Sequence, residues 1–143
     1  MEEVVYSNLA FTLVGYLVQQ FSGMPYKEYI QERIWAPIGM TNTAFAPTPR
    51  MEERLSIPYA PDRQTGELEP AGRTKADVWP AGIVYGTVHD QAAWVRYNLG
   101  TGAVEGGRLL RPETMDLMHT LQFRRFSGGK MGGGWGYENT GYG

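Results

Sequence analysis

The sequence predicts a largely helical fold, and three stretches predict it. Apolar residues fall in adjacent pairs one turn apart from Leu9 to Phe21, a second amphipathic segment runs from Pro25 to Trp35, and a capped segment leads from Thr87 to about Leu99. In the first, Leu9 with Ala10, Leu13 with Val14, Leu17 with Val18, and Phe21 give a broad apolar stripe, with Ser7 or Asn8 as N-cap and Gly23 as a left-handed stop. Such a helix is expected to be buried. In the second, Pro25 suits the first turn, Tyr26, Tyr29, Ile30 and Ile34 share a face, and Pro37 is expected to end the helix before a tight exit loop at Ile38-Gly39-Met40-Thr41.

Between Ala44 and Pro80, five prolines (47, 49, 58, 61 and 70) deny any long helix. Ile57 to Tyr59 and Leu68 suggest a short hairpin around Gln64-Thr65-Gly66, which prolines confine to an edge. The third helix starts at Thr87, whose side chain can cap while Asp90 sits in the first turn. A fourth, short helix fits Glu113 to Met118, and Trp135-Gly136-Tyr137 fits the start of a strand.

Composition sets the broad class. With 143 residues, 42% hydrophobic and 20% charged, the chain suits one globular core. No apolar run approaches the roughly 20 residues of a transmembrane helix, and Met1-Glu2-Glu3 is acidic where a secretory leader is basic, so no membrane segment is expected and the compartment is left open. The absence of cysteine excludes disulfides and thiolate metal sites, and a formal net charge of -2 gives no footprint for nucleic acid.

Tyr6-Ser7-Asn8, Gly15-Tyr16-Leu17-Val18, Ser22-Gly23-Met24-Pro25-Tyr26 and the run from Ile34 through Pro37-Ile38-Gly39-Met40 to Thr43 follow one another in a telling order. Further on come Trp79-Pro80-Ala81-Gly82-Ile83 with Thr87 and Asp90, then Arg108-Leu109-Leu110-Arg111-Pro112-Glu113-Thr114-Met115 and Met118-His119-Thr120, then Gly133-Gly134-Trp135-Gly136-Tyr137. Together they resemble the middle of the serine β-lactamase-related family, which includes class C β-lactamases, DD-peptidases and β-lactamase-like esterases. No stretch is specific alone; their order and spacing carry the resemblance. The chain departs from the family pattern at Ile83, which stands for a second glycine, at Gly86, which stands for a serine, and at Arg111, which stands for the serine that would cap the fourth helix.

The resemblance implies an acyl-enzyme mechanism assembled from three motifs: S-x-x-K, the S-D-N or Tyr-x-Asn triplet, and a K-T-G-like segment. A serine attacks an acyl carbonyl, a lysine one turn later eases proton transfer, and the tyrosine shuttles protons. Tyr6 is then the proton-transfer residue. A free phenol has a pKa near ~10, so neighbouring ammonium groups must hold its proton affinity down. Asn8 would hold the lysine and position the substrate's amide or ester. The plainer alternative is that Tyr6 packs at a domain edge and Asn8 caps a helix. Trp79 and Gly82 are candidates to line the substrate cleft, against ordinary packing before a proline for Trp79.

A literal S-x-x-K at Ser127-Gly128-Gly129-Lys130 is rejected, because two glycines cost about 1 kcal/mol each in a helix and the match follows the Tyr-x-Asn triplet instead of preceding it. Lys130-Met131-Gly132 imitates K-T-G on the wrong side of the Gly-Trp strand. His89 and His119 lack metal-ligand spacing, and Glu2 with Glu3 and Glu52 with Glu53 are adjacent pairs that diverge on a helix.

The expectation is therefore residues 1–143 as one partial β-lactamase-related domain: a mainly α fragment of an α/β (α+β) β-lactamase/transpeptidase-like fold, with the sheet truncated at both ends and the S-x-x-K and K-T-G or H-x-G regions outside it. Its parent cleaves amide or ester bonds of a small-molecule or peptidoglycan-like substrate, and the chain alone is expected to be inactive. The alternative is a non-catalytic binding or interaction domain that keeps the fold without the nucleophile. No cofactor, metal, nucleic acid or membrane segment is implied. An apolar face left uncovered implies self-association or dependence on a partner segment.

Overall fold

The computed structural model describes residues 7–73 and 79–120, together with the backbone of 123–124 and 139–140. Tyr6, Glu2 and Glu3, the Ser127–Lys130 and Lys130–Gly132 matches, and the strand start expected at Trp135–Tyr137 lie outside the described residues.

Helix α1 spans Asn8–Ser22. Of its two candidate caps, Ser7 takes the role: its hydroxyl accepts from the Ala10 amide at 3.1 Å, and Asn8 is the first helical residue. Gly23 ends the helix at φ 68, and its amide donates to the Gln19 carbonyl. The expected burial of α1 is not met in this chain. Only Gly15 is buried, while Leu9 and Phe21 are 79% and 86% exposed and Leu13, Val14 and Leu17 are exposed with them.

The second helix runs longer than its proline suggests. Helix α2 (Tyr26–Ile30) continues through a π-helical turn (Gln31–Trp35) into α3 (Ala36–Ile38), so Pro37 lies inside the helical run and Gly39, at φ 88, stops it. A proline removes one helical donor and crowds the carbonyl four residues back. Widening to five-residue pairing just before Pro37, with the Ala36 amide bound to the Gln31 carbonyl, accommodates it without ending the helix. The exit is tight, with the Met40 amide on the Trp35 carbonyl at 2.9 Å.

A short helix, α4 (Pro49–Glu52), is capped by Thr48 and precedes the hairpin β1 (Tyr59–Pro61) and β2 (Leu68–Pro70), paired antiparallel with Tyr59 opposite Pro70. Both strands are exposed, as their prolines require. The Asp62 carboxylate organises the turn by accepting from the Gln64 and Thr65 amides, each at 2.8 Å, and these bonds hold its pKa below the usual value. Trp79–Ala81 forms a single 3-10 turn, and an isolated bridge pairs Ala44 with Tyr85.

Helix α5 (Val88–Leu99) starts where expected, with the Thr87 hydroxyl accepting from the Asp90 amide. A small hairpin, β3 (Ala103–Val104) with β4 (Gly107–Arg108), turns through Glu105-Gly106, an X-Gly turn that the sequence reading passed over. Helix α6 (Pro112–His119) follows, and Arg111 gives it no side-chain cap, as its departure from serine implies. Strands β5 (Phe123–Arg124) and β6 (Asn139–Thr140) pair antiparallel.

The core lies between the α2–α3 run, its exit loop and α5. Trp35, Met40, Phe45 and Ala93 are buried together, with Tyr26, Ile30, Ile34, Trp79 and Trp94 packed around them. The Trp35 and Phe45 rings stack at 4.7 Å between centroids. This fixes the exit loop beside the start of α5, and the architecture is helical with small two-stranded sheets at its margins.

Candidate active-site face

Two elements carry the described candidates, and they are packed together. Helix α1 begins with Asn8, and the Trp79–Ala81 turn leads to Gly82. Their contact depends on Gly15. A Cβ built there would lie 2.2 Å from Cγ and 2.8 Å from Cβ of Pro80, so only glycine lets the proline ring reach the helix. The contact lies about two turns, or ~10 Å, along α1 from Asn8. The structure thus joins the element that bears Asn8 to the element that bears Trp79 and Gly82, through Gly15 and Pro80.

Asn8 is exposed at the positive end of α1, where its carbonyl accepts from the Thr12 hydroxyl at 2.9 Å. With the capping task held by Ser7, the plainer reading of Asn8 as the cap is excluded. Trp79 is half-buried against the core, and the Lys27 ammonium sits over its ring, 3.3 Å from the centroid. That cation-π contact fixes the indole and places a positive charge beside the turn. Gly82 is exposed, and its amide donates to the Trp79 carbonyl. The next residue, Ile83, adopts φ 63, so the family's second glycine is replaced by a β-branched residue in left-handed backbone.

In the first turn of α5, Asp90 is 3% exposed and acts as a clamp. One carboxylate oxygen accepts from the Thr43 hydroxyl at 2.6 Å and the Asn42 amide at 2.7 Å. A buried carboxylate needs such donors, and here they tie the exit loop of α3 to the first turn of α5. Sequence reasoning placed Asp90 in the first turn but missed its partners, which lie nearly fifty residues away. It also missed Lys27, which nothing in local patterning links to Trp79. The phenols of Tyr26 and Tyr97 are pushed up by burial, the opposite of what a proton acceptor needs, so neither substitutes for Tyr6.

The β-lactamase family model matches residues 2–143. The chain belongs to the β-lactamase family. Among curated relatives, it is 30% identical over 123 residues to the D-alanyl-D-alanine-carboxypeptidase/endopeptidase AmpH of Escherichia coli (strain K12), a match covering 86% of this chain and 29% of that protein. It is 32% identical over 124 residues to an uncharacterised protein of Mycobacterium tuberculosis (strain CDC 1551 / Oshkosh), covering 83% of this chain and 31% of the relative. Its backbone is similar to that of the octameric penicillin-binding protein homologue from Pyrococcus abyssi, with TM-score 0.67 and 24% identity over 87% of this chain and 27% of that one. The D-alanine carboxypeptidase AmpC from Burkholderia cenocepacia gives TM-score 0.64 and 25% identity over 81% of this chain and 31% of that one.

The chain therefore spans less than a third of the relatives it matches. Within the β-lactamase/transpeptidase-like fold it supplies a mainly helical part, as the order of its motifs implied. No described helix is long and apolar enough to cross a membrane.

Proposed function

We propose that this β-lactamase-family chain contributes the Tyr-x-Asn face of a serine hydrolase that cleaves an amide or ester bond through an acyl-enzyme. In this reading the substrate is peptidoglycan-like, in keeping with the carboxypeptidase names of its relatives. Tyr6 transfers the proton to and from the nucleophile, and Asn8 positions the lysine and the substrate's amide. Trp79 and Gly82 border the cleft, with Lys27 holding the indole. The nucleophile comes from an S-x-x-K segment beyond residues 1–143, and the polypeptide alone is inactive. The observation that carries the reading is the Gly15–Pro80 contact, which joins the helix that begins at Asn8 to the Trp79–Gly82 stretch.

The test is acylation kinetics in a domain that joins residues 1–143 to S-x-x-K and K-T-G segments of a relative. Tyr6→Phe removes the proton shuttle and is expected to slow acylation by about 10²–10⁴-fold while leaving ground-state binding nearly unchanged. Asn8→Ala should weaken substrate binding as well as rate. Unaltered acylation in Tyr6→Phe contradicts the proposal.

A further inference from the structure

Among the described residues, Ile83 is the one residue other than glycine with a positive φ, and it directly follows Gly82. In left-handed backbone a Cβ crowds the following carbonyl, so a β-branched residue there is a genuine outlier, whereas glycine adopts the conformation freely. The conformation is held from both sides. Before it, the Gly82 amide donates to the Trp79 carbonyl, and after it Ala44 and Tyr85 exchange two backbone hydrogen bonds, each at 2.8 Å. A glycine, which the family pattern has at this position, would meet the same restraints without strain.

Core burial does not offset that strain. Ile83 is half-buried and lies outside the cluster of Trp35, Met40, Phe45 and Ala93 and the hydrophobics packed against it. It lines instead a cavity of about 520 Å³ together with Leu55, Pro58, Val84 and Tyr85. That volume falls within the roughly 300–1,000 Å³ of small-molecule sites. Arg54 and Arg73 are the charged residues of the wall, and Arg73 is already paired with Glu52 at 2.8 Å. A strained residue kept where the core gains little, one peptide from Gly82 and on the wall of a mostly apolar cavity, points to function and not to folding.

We propose that Ile83 is a specificity-determining residue, giving this cavity an apolar wall beside Gly82 that receives an aliphatic side group of the substrate. The inference rests on the reading of Gly82 as a border of the acyl-transfer cleft, and it narrows the substrate class to amides or esters that carry such a group. The isoleucine in place of glycine adds apolar surface where the family pattern has none, at the expense of backbone strain.

The test is binding to the 143-residue chain, which requires no acylation. N-acetyl-leucinamide and its near-isosteric polar counterpart N-acetyl-asparaginamide are titrated separately while the Gly82 and Val84 amide resonances are followed. Saturable shifts are expected with the leucine probe, at least about tenfold tighter than with the asparagine probe, the lower end of what an apolar pocket discriminates. Ile83→Gly is expected to shrink that ratio to below about threefold, while Ile83→Val, which keeps a β-branched wall, retains it. The melting temperature of Ile83→Gly is expected to be no lower than the parent's, because glycine relieves the left-handed backbone. Equal binding of the two probes by the parent chain, or a ratio that survives Ile83→Gly, overturns the proposal, as does a clear loss of stability in Ile83→Gly, which would assign the isoleucine to the fold. Failure of the acyl-transfer reading shows separately, as unaltered acylation in Tyr6→Phe, a result that leaves the probe ratio untouched.

Discussion

Asp90 accepts two hydrogen bonds from the chain that leaves α3, so removing its carboxylate strands a buried hydroxyl and a backbone amide. Asp90→Ala is expected to destabilise the fold by about 3 kcal/mol, and Asp90→Asn, which keeps one acceptor, by roughly half as much. Urea denaturation checks both, and a loss below about 0.5 kcal/mol for Asp90→Ala contradicts the clamp. The first-turn position of Asp90 was legible from Thr87 and the helix pattern, but its partners were not, because periodicity carries no information across the proline-broken stretch between them. Ile83 was legible as a departure from the family's second glycine. Its left-handed backbone became visible only in the structure.

Elements with strong local signals sit where the sequence placed them. Helix α1 has both predicted ends, because a serine cap and a left-handed glycine act within a few residues. The α2–α3 run extends past Pro37 because a π turn absorbs the proline, a response decided by packing of Trp35 and Ile38 into the core. Gly15 gives the sharpest element-scale prediction. In an exposed helix, alanine for glycine gains about 1 kcal/mol, but here its methyl would overlap Pro80. Gly15→Ala is expected to cost about 1–3 kcal/mol net, as overpacking generally does, and to separate α1 from the Trp79–Ala81 turn. A thermal melt reads the stability, and a melting temperature above the parent's contradicts the close contact. Asn8 was legible as a candidate through its place in the triplet, whereas Lys27 over Trp79 was not, since the two meet only in the folded chain.

At the scale of the whole molecule, the exposed apolar residues of α1 carry the largest consequence. Leu9, Phe11, Leu13, Val14, Tyr16, Leu17 and Phe21 are all open to solvent, a surface that single soluble domains seldom leave bare. The chain alone is therefore expected to bind ANS and to elute at a size that grows with concentration, and a compact monomer with no ANS signal contradicts this. The apolar pairs of α1 have the pattern of a buried helix, and the relatives, of which the match covers less than a third, are long enough to hold further chain against it. The central claim is that this chain provides the Tyr-x-Asn face of an acyl-transfer site whose serine lies elsewhere. Fluorescent-penicillin labelling, followed by peptide mapping, tests it most directly. The account predicts no covalent adduct on the chain alone, and an adduct on the S-x-x-K serine once that segment is joined. Stoichiometric labelling of the chain alone at Ser7, Ser22, Ser56 or Ser127 would contradict it.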